Sequence, residues 1–197
     1  QPDAHPEENS FEVLAASNAV VLRGSADPGG AATESSACLP AGRYALAVFD
    51  ERGDGMTAGP APGYFQAAVA GEVVVRRSSF AFTAHHQILV AAPGEPPAPT
   101  AVLAVTIVED DYPAETAWEL RDAAGERVVA EDGPHSVQLR LAAGEYRFTI
   151  FDAASDGLCC AYGFGSYAVA VDGVTVATGG EFGASEAVAV TVAPGGG

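Results

Sequence analysis

Two cysteines stand side by side at Cys159-Cys160, within SDGLCCAYGFGSY (155–167), between an acidic turn and a run of glycines and aromatics. A disulfide ordinarily joins Cα atoms about 4.4–6.8 Å apart, whereas consecutive Cα atoms lie about 3.8 Å apart. Either the pair closes a strained ring on itself, or each sulfur has a separate task. Zinc suits it poorly, because its paired cysteine ligands usually have residues between them. The third cysteine, Cys38, is either a buried free thiol or a partner for another molecule.

Carboxylates offer a second chemistry. Asp50 with Asp54, and Asp152 with Asp156, each end in an Asp-Gly step. They could donate oxygens to calcium, a hard cation that takes about six to eight such ligands. The loops lack the middle acidic ligand and the terminal Glu of an EF-hand. Asp before Gly is also an ordinary turn former through its side-chain hydrogen bonds. Calcium binding and turn formation therefore both stand as readings.

Catalytic groups are scarce. His85-His86 lies on a strand-like run, where alternation sends the two rings to opposite faces and defeats a shared metal site, so a solvent-facing or edge role is expected. His5 and His135 fall in loops with no partner placed by spacing. No Ser/His/Asp, Cys/His or phosphate-loop pattern stands out, and the chain reads as non-enzymatic.

The elements that must position these residues come in two copies. AGRYALAVFDERGDG (41–55) matches AGEYRFTIFDAASDG (143–157) without a gap, and Gly71 falls on Gly173 at the same offset. Upstream, HPEENSFEV (5–13) resembles YPAETAWEL (112–120) after a short indel. Tyr44, Leu46 and Val48 alternate with polar or small residues, as do Tyr146, Phe148 and Ile150, which is the period of a strand with one buried face. Further strands are expected over 101–109, 116–121, 126–131, 166–171, 173–178 and 186–192. With no helical stripe and about seven or eight strands per copy, the fold is all-β: two tandem antiparallel β-sandwiches, immunoglobulin-like or jelly-roll-like.

The expected domains are 1–92 and 101–197, joined by a Pro-rich linker over 93–100, where proline favours a semi-rigid extended spacer. AVLAVTIVE (101–109) opens the second copy, but only QPDA precedes the matching motif of the first, so its first strand is missing. A sequence read only in part accounts for that. Alternatively, a strand from another copy or molecule completes the sheet.

FDAASDGLCCAYGFGSY resembles the D-x-x-G-D-G-x-C-C-x-Y-G-x-G-x-Y repeat of large secreted or surface proteins of algae, other protists and some bacteria. The resemblance extends over nearly all of 101–193, departs from the pattern at Ser155 where glycine is expected, and implies an extracellular accessory or building-block module. The first copy has Thr57 and Ala58 in place of the cysteines, so the fold does not require the pair. Bonded to each other, Cys159 and Cys160 would stiffen the loop and present a flat apolar face beside Tyr162, Phe164 and Tyr167. Such a face could stack on a sugar or simply pack. Pro96, Pro97, Pro99 and Thr100 are candidate O-glycosylation positions if the prolines are hydroxylated.

Nine basic residues, all Arg, against 26 acidic ones give a formal charge of −17, which argues against nucleic acid and anionic membrane surfaces as partners. No apolar run approaches the ~20 residues that span a bilayer, so direct membrane insertion is not expected. Gln1 begins no signal peptide, so a mature form or an internal piece is expected. Together these readings anticipate an extracellular or cell-surface structural or adhesive protein. Its expected partner is itself, in a homo-oligomer or filament, with glycan binding as the competing role and calcium as the one candidate ion.

Overall fold

The computed structural model describes residues 4–56, 63–77, 79–80, 82–92, 94, 100–131 and 136–193. The chain divides into two compact units, Gln1–Pro97 and Ala98–Gly197. Both are built of antiparallel strands, and among the described residues the only helical turns are two short 3-10 turns. No helix among them is long and apolar enough to cross a membrane. Most of the linker, with Pro96, Pro97 and Pro99, lies outside the described residues, as do Thr57, Ala58 and His135.

Unit 1 begins with a 3-10 turn, Pro6–Glu8, followed by β1 (Asn9–Ala15), β2 (Val20–Ser25), β3 (Gly42–Asp50), β4 (Phe65–Val69), β5 (Glu72–Arg77) and β6 (Thr83–Val90). Strands pair in the order β6-β3-β1-β2 in one sheet, and β4 pairs with β5 in a separate ribbon. Val13, Tyr44, Leu46, Val48, Met56, Val75, Phe80, Ala84 and Ile88 form the core.

Unit 2 has β7 (Thr100–Val108), a 3-10 turn (Pro113–Glu115), β8 (Thr116–Asp122), β9 (Arg127–Glu131), β10 (Val137–Ala142), β11 (Gly144–Asp152), β12 (Ser166–Val171), β13 (Val174–Gly179) and β14 (Ser185–Val192). Two four-stranded sheets, β14-β11-β8-β9 and β10-β7-β12-β13, face each other as a complete sandwich. Period-two alternation decides what lies between them. Trp118, Leu120, Phe148, Ile150, Val190 and Val192 come from the first sheet, against Leu103, Val105, Leu139, Leu141, Tyr167 and Val169 from the second.

The repeat is visible in local geometry. Tyr44 Oη donates to the Pro40 carbonyl and Tyr146 Oη to the Ala142 carbonyl, each at 2.9 Å, so a tyrosine pins the entry to the central strand in both units. The β12–β13 hairpin turns on Asp172-Gly173 and the β4–β5 hairpin on Ala70-Gly71, all four with positive φ. Two-residue hairpin loops need that backbone to match the strand twist.

One strand escaped the sequence reading: β10, although Val137, Leu139 and Leu141 alternate inward along it. In unit 1 the corresponding segment, 26–41, forms no strand, and nothing corresponds to β7 among the described residues. Among the described residues unit 1 thus shows two strands fewer than unit 2, where one fewer was expected. Among the described residues β4 and β5 pair only with each other.

Candidate functional site

An acidic turn recurs at one end of each sandwich. In unit 1, β3 ends at Asp50, whose Oδ1 accepts hydrogen bonds from the backbone N–H groups of Arg52 and Gly53, both at 2.7 Å. In unit 2, Asp152 ends β11 and accepts from the Ser155 N–H at 2.6 Å. The turn-forming role of these aspartates is therefore present in both copies. Ser155 holds a left-handed φ of 68°, close to the 78° of its counterpart Gly53, which is the conformation that favours glycine at this motif position.

The sequence reading missed the third carboxylate. The 3-10 turn before β1 carries Glu8, and the one before β8 carries its counterpart Glu115. A backbone bond ties each to the turn: Glu51 N–H donates to the Glu8 carbonyl at 3.2 Å and Ala153 N–H to the Glu115 carbonyl at 3.0 Å. Ligand oxygens of Glu8, Asp50 and Asp54 consequently lie within 4.8 Å of one another, and so do those of Glu115, Asp152 and Asp156. The signal was available in the aligned Pro-x-Glu of HPEENSFEV and YPAETAWEL, but 42 residues of separation between Glu8 and Asp50 hid the contact. Burial pushes the Glu8 carboxyl above its usual range; Arg52 opposes this, and the charges of Asp54 and Asp50 add to it. Glu115 is raised too, first by desolvation and then by Asp152, Asp156 and Asp110. Glu8 Oε2 meets Arg52 Nε at 2.8 Å.

Beyond the acidic turn of unit 2, Cys159 and Cys160 are bonded to each other. Their loop is tied down on both sides. Leu158 and Cys159 N–H groups donate to the Gly180 carbonyl at 2.9 and 3.0 Å, Gly165 N–H to the Leu158 carbonyl at 2.8 Å, and Asp111 N–H to the Tyr162 carbonyl at 2.9 Å. Leu158 anchors it in the core, as Met56 does for the turn of unit 1. Gly157 has φ of 75°, and a Cβ there would meet the Phe182 carbonyl at 2.5 Å, so this glycine is required twice over. Cys159, Cys160, Glu181 and Phe182 line an open pocket of about 350 Å³, with Cys160 Sγ 3.8 Å from Glu181 Oε1. Glu181 was not singled out from the sequence.

The aromatic residues divide. Phe164 is 83% exposed, and Tyr162 is exposed with its ring edge-on to Tyr112, the centroids 5.6 Å apart. Tyr167 does not join them: it is 2% exposed, on the inward face of β12, against Phe148 with centroids 5.2 Å apart. Its hydroxyl donates to Glu186 at 2.8 Å, and burial raises its pKa above the usual phenol range. Strand alternation decides this, since the loop ends at Gly165 and β12 begins at Ser166.

Other candidates settle individually. His85 and His86 occupy opposite faces of β6, but His86 is buried rather than solvent-facing, and neither nitrogen of the His86 ring has a hydrogen-bond partner. Cys38 is exposed, not buried. Thr100 is exposed at the first position of β7, opposite Ala142, and so belongs to a strand rather than to the linker. Comparison with protein-family models, curated proteins and solved structures finds no match to this chain.

Proposed function

We propose that the protein is a non-enzymatic structural or adhesive unit of an extracellular appendage, matrix or fibril, joined head to tail by strand complementation between protomers. The observation that carries this reading is the difference between two copies of one fold. In unit 2, β7 lies between β10 and β12 and sends Ala101, Leu103, Val105 and Ile107 into the core, beside Tyr167 and Val169 of β12. In unit 1, the strand equivalent to β12 is β4, and its inward residues Phe65, Ala67 and Val69 are only half-buried. A strand edge without a partner presents backbone donors and acceptors that another strand can satisfy. By analogy with unit 2, the proposed occupant is an extended segment with the small and branched apolar alternation of β7. A contact of this kind is heterologous and propagates when each protomer both gives and receives.

The test is light scattering and negative-stain microscopy of the full chain, with a synthetic Thr100–Val108 peptide as competitor. Oligomers or filaments that the peptide shortens, or a peptide that raises the melting temperature of unit 1, are expected. A strict monomer whose melting the peptide leaves unchanged overturns the reading.

A second reading rests on the exposed Phe164, Tyr162 and Tyr112 beside the disulfide loop, an apolar platform of the kind that stacks on sugar rings. Binding on a glycan array that is lost with Tyr162→Ala would favour it over self-assembly.

A further inference from the structure

We infer that Glu8, Asp50 and Asp54 form a divalent-cation site in unit 1 and that its ligand is calcium. Three carboxylates from two distant segments converge there, with ligand oxygens within 4.8 Å of one another. The first shell of a calcium ion, with metal–oxygen distances of about 2.3–2.6 Å, spans that separation. The donor set is hard oxygen alone, with neither histidine nor cysteine in it, which suits calcium and not a soft transition metal.

Proximity of acidic groups is common in a chain of this charge, and burial is what distinguishes this one. Glu8 is 5% exposed, and although its Oε2 pairs with Arg52, its Oε1 is buried without any hydrogen-bond partner. Asn9 stands directly opposite Asp50 in the β1–β3 ladder, so the two side chains leave the sheet on the same face. Its Oδ1 is a second buried oxygen with no hydrogen-bond partner. Native folds rarely leave buried acceptors unpaired, and a cation bound among the carboxylates would satisfy the Glu8 oxygen that Arg52 does not pair with.

The arrangement recurs. Unit 2 brings together Glu115, Asp152 and Asp156 through the same 3-10 turn, the same strand end and the same backbone bond, while Ala154 replaces Arg52. Two copies with different cores have kept three carboxylates together although like charges at this distance repel.

The test is calorimetric titration of CaCl2 into the full chain, and into Glu8→Gln and Asp54→Asn variants, at about 0.15 M NaCl to screen diffuse attraction to the acidic surface. Asp54 is exposed, so its variant keeps the fold if the more buried Glu8→Gln does not. Saturable binding with a Kd on the order of 10⁻⁴–10⁻³ M is expected. One calcium equivalent should be lost, or weakened at least about tenfold, in either variant. Calcium should also raise the melting temperature relative to chelator in the parent chain. The inference is overturned if no saturable binding occurs, if both variants bind with the parent's stoichiometry and affinity, or if magnesium at equal concentration acts as calcium does. None of these outcomes depends on assembly or glycan binding.

Discussion

At the scale of single residues, burial sets the chemistry more than type does. His86 lies in the core of unit 1 near Phe65, and burial, with the charges of Arg77 and His85, lowers its pKa from the usual 6.5 to about 3. The folded state therefore holds it neutral, while the unfolded chain takes up a proton below about pH 6.5. The associated stability is fully present above that pH and is lost as pH falls towards 3. Each pH unit costs about 1.4 kcal/mol. Urea unfolding should show unit 1 losing about 2 kcal/mol between pH 7 and pH 5. A His86→Leu variant should lose much less over the same interval, because few carboxylates titrate above pH 5. Equal losses in the two proteins would mean that His86 is protonated without cost.

At the scale of elements, β4–β5 and β12–β13 are the same hairpin in different company. Both turn on two left-handed residues, and both have a register shift at the same place, between Ala67 and Ala68 and between Val169 and Ala170. Only β12 has β7 on its other side. Backbone amides with one strand partner open more easily than those in a four-stranded sheet. Hydrogen exchange followed by mass spectrometry should give β4–β5 exchange at least about tenfold faster than β12–β13, a difference of roughly 1.4 kcal/mol in opening free energy. Comparable protection would show that another segment already covers β4. Most strands were legible in the sequence because alternation of Tyr146, Phe148 and Ile150, or of Leu103, Val105 and Ile107, is a direct consequence of the pleat. The candidate site was half legible. Asp50 and Asp152 announce themselves through the Asp-Gly turns, but Glu8 and Glu115 reach those turns only through pairing of β1 with β3 and of β8 with β11.

At the scale of the whole molecule, the two units differ in how much apolar surface they bury. Among the described residues, Leu103, Val105 and Ile107 of β7 and Leu139 of β10 have no counterparts in the core of unit 1, and Leu39, the counterpart of Leu141, packs against that core only half-buried. Each such side chain is worth roughly 1.5–3 kcal/mol when fully buried, before the entropy of ordering its strand is deducted. Unit 1 should melt first. The single tryptophan, Trp118, lies in the core of unit 2, so its fluorescence reports that unit alone. On heating, the far-ultraviolet circular dichroism signal should begin to fall several degrees below the tryptophan transition; coincident curves would mean that the units unfold together.

The sequence by itself determined the strand pattern, the two copies, the hairpin turns and the weight of negative charge, because each follows from residue type and short-range spacing. The tertiary structure alone decided that Tyr167 faces the core while Phe164 faces water, that His86 is buried, that the segment 26–41 forms no strand, and that Glu8 and Glu115 complete the acidic turns. These depend on which face of a strand meets another sheet and on which distant segments pair, and neither is written in the spacing of neighbours along the chain.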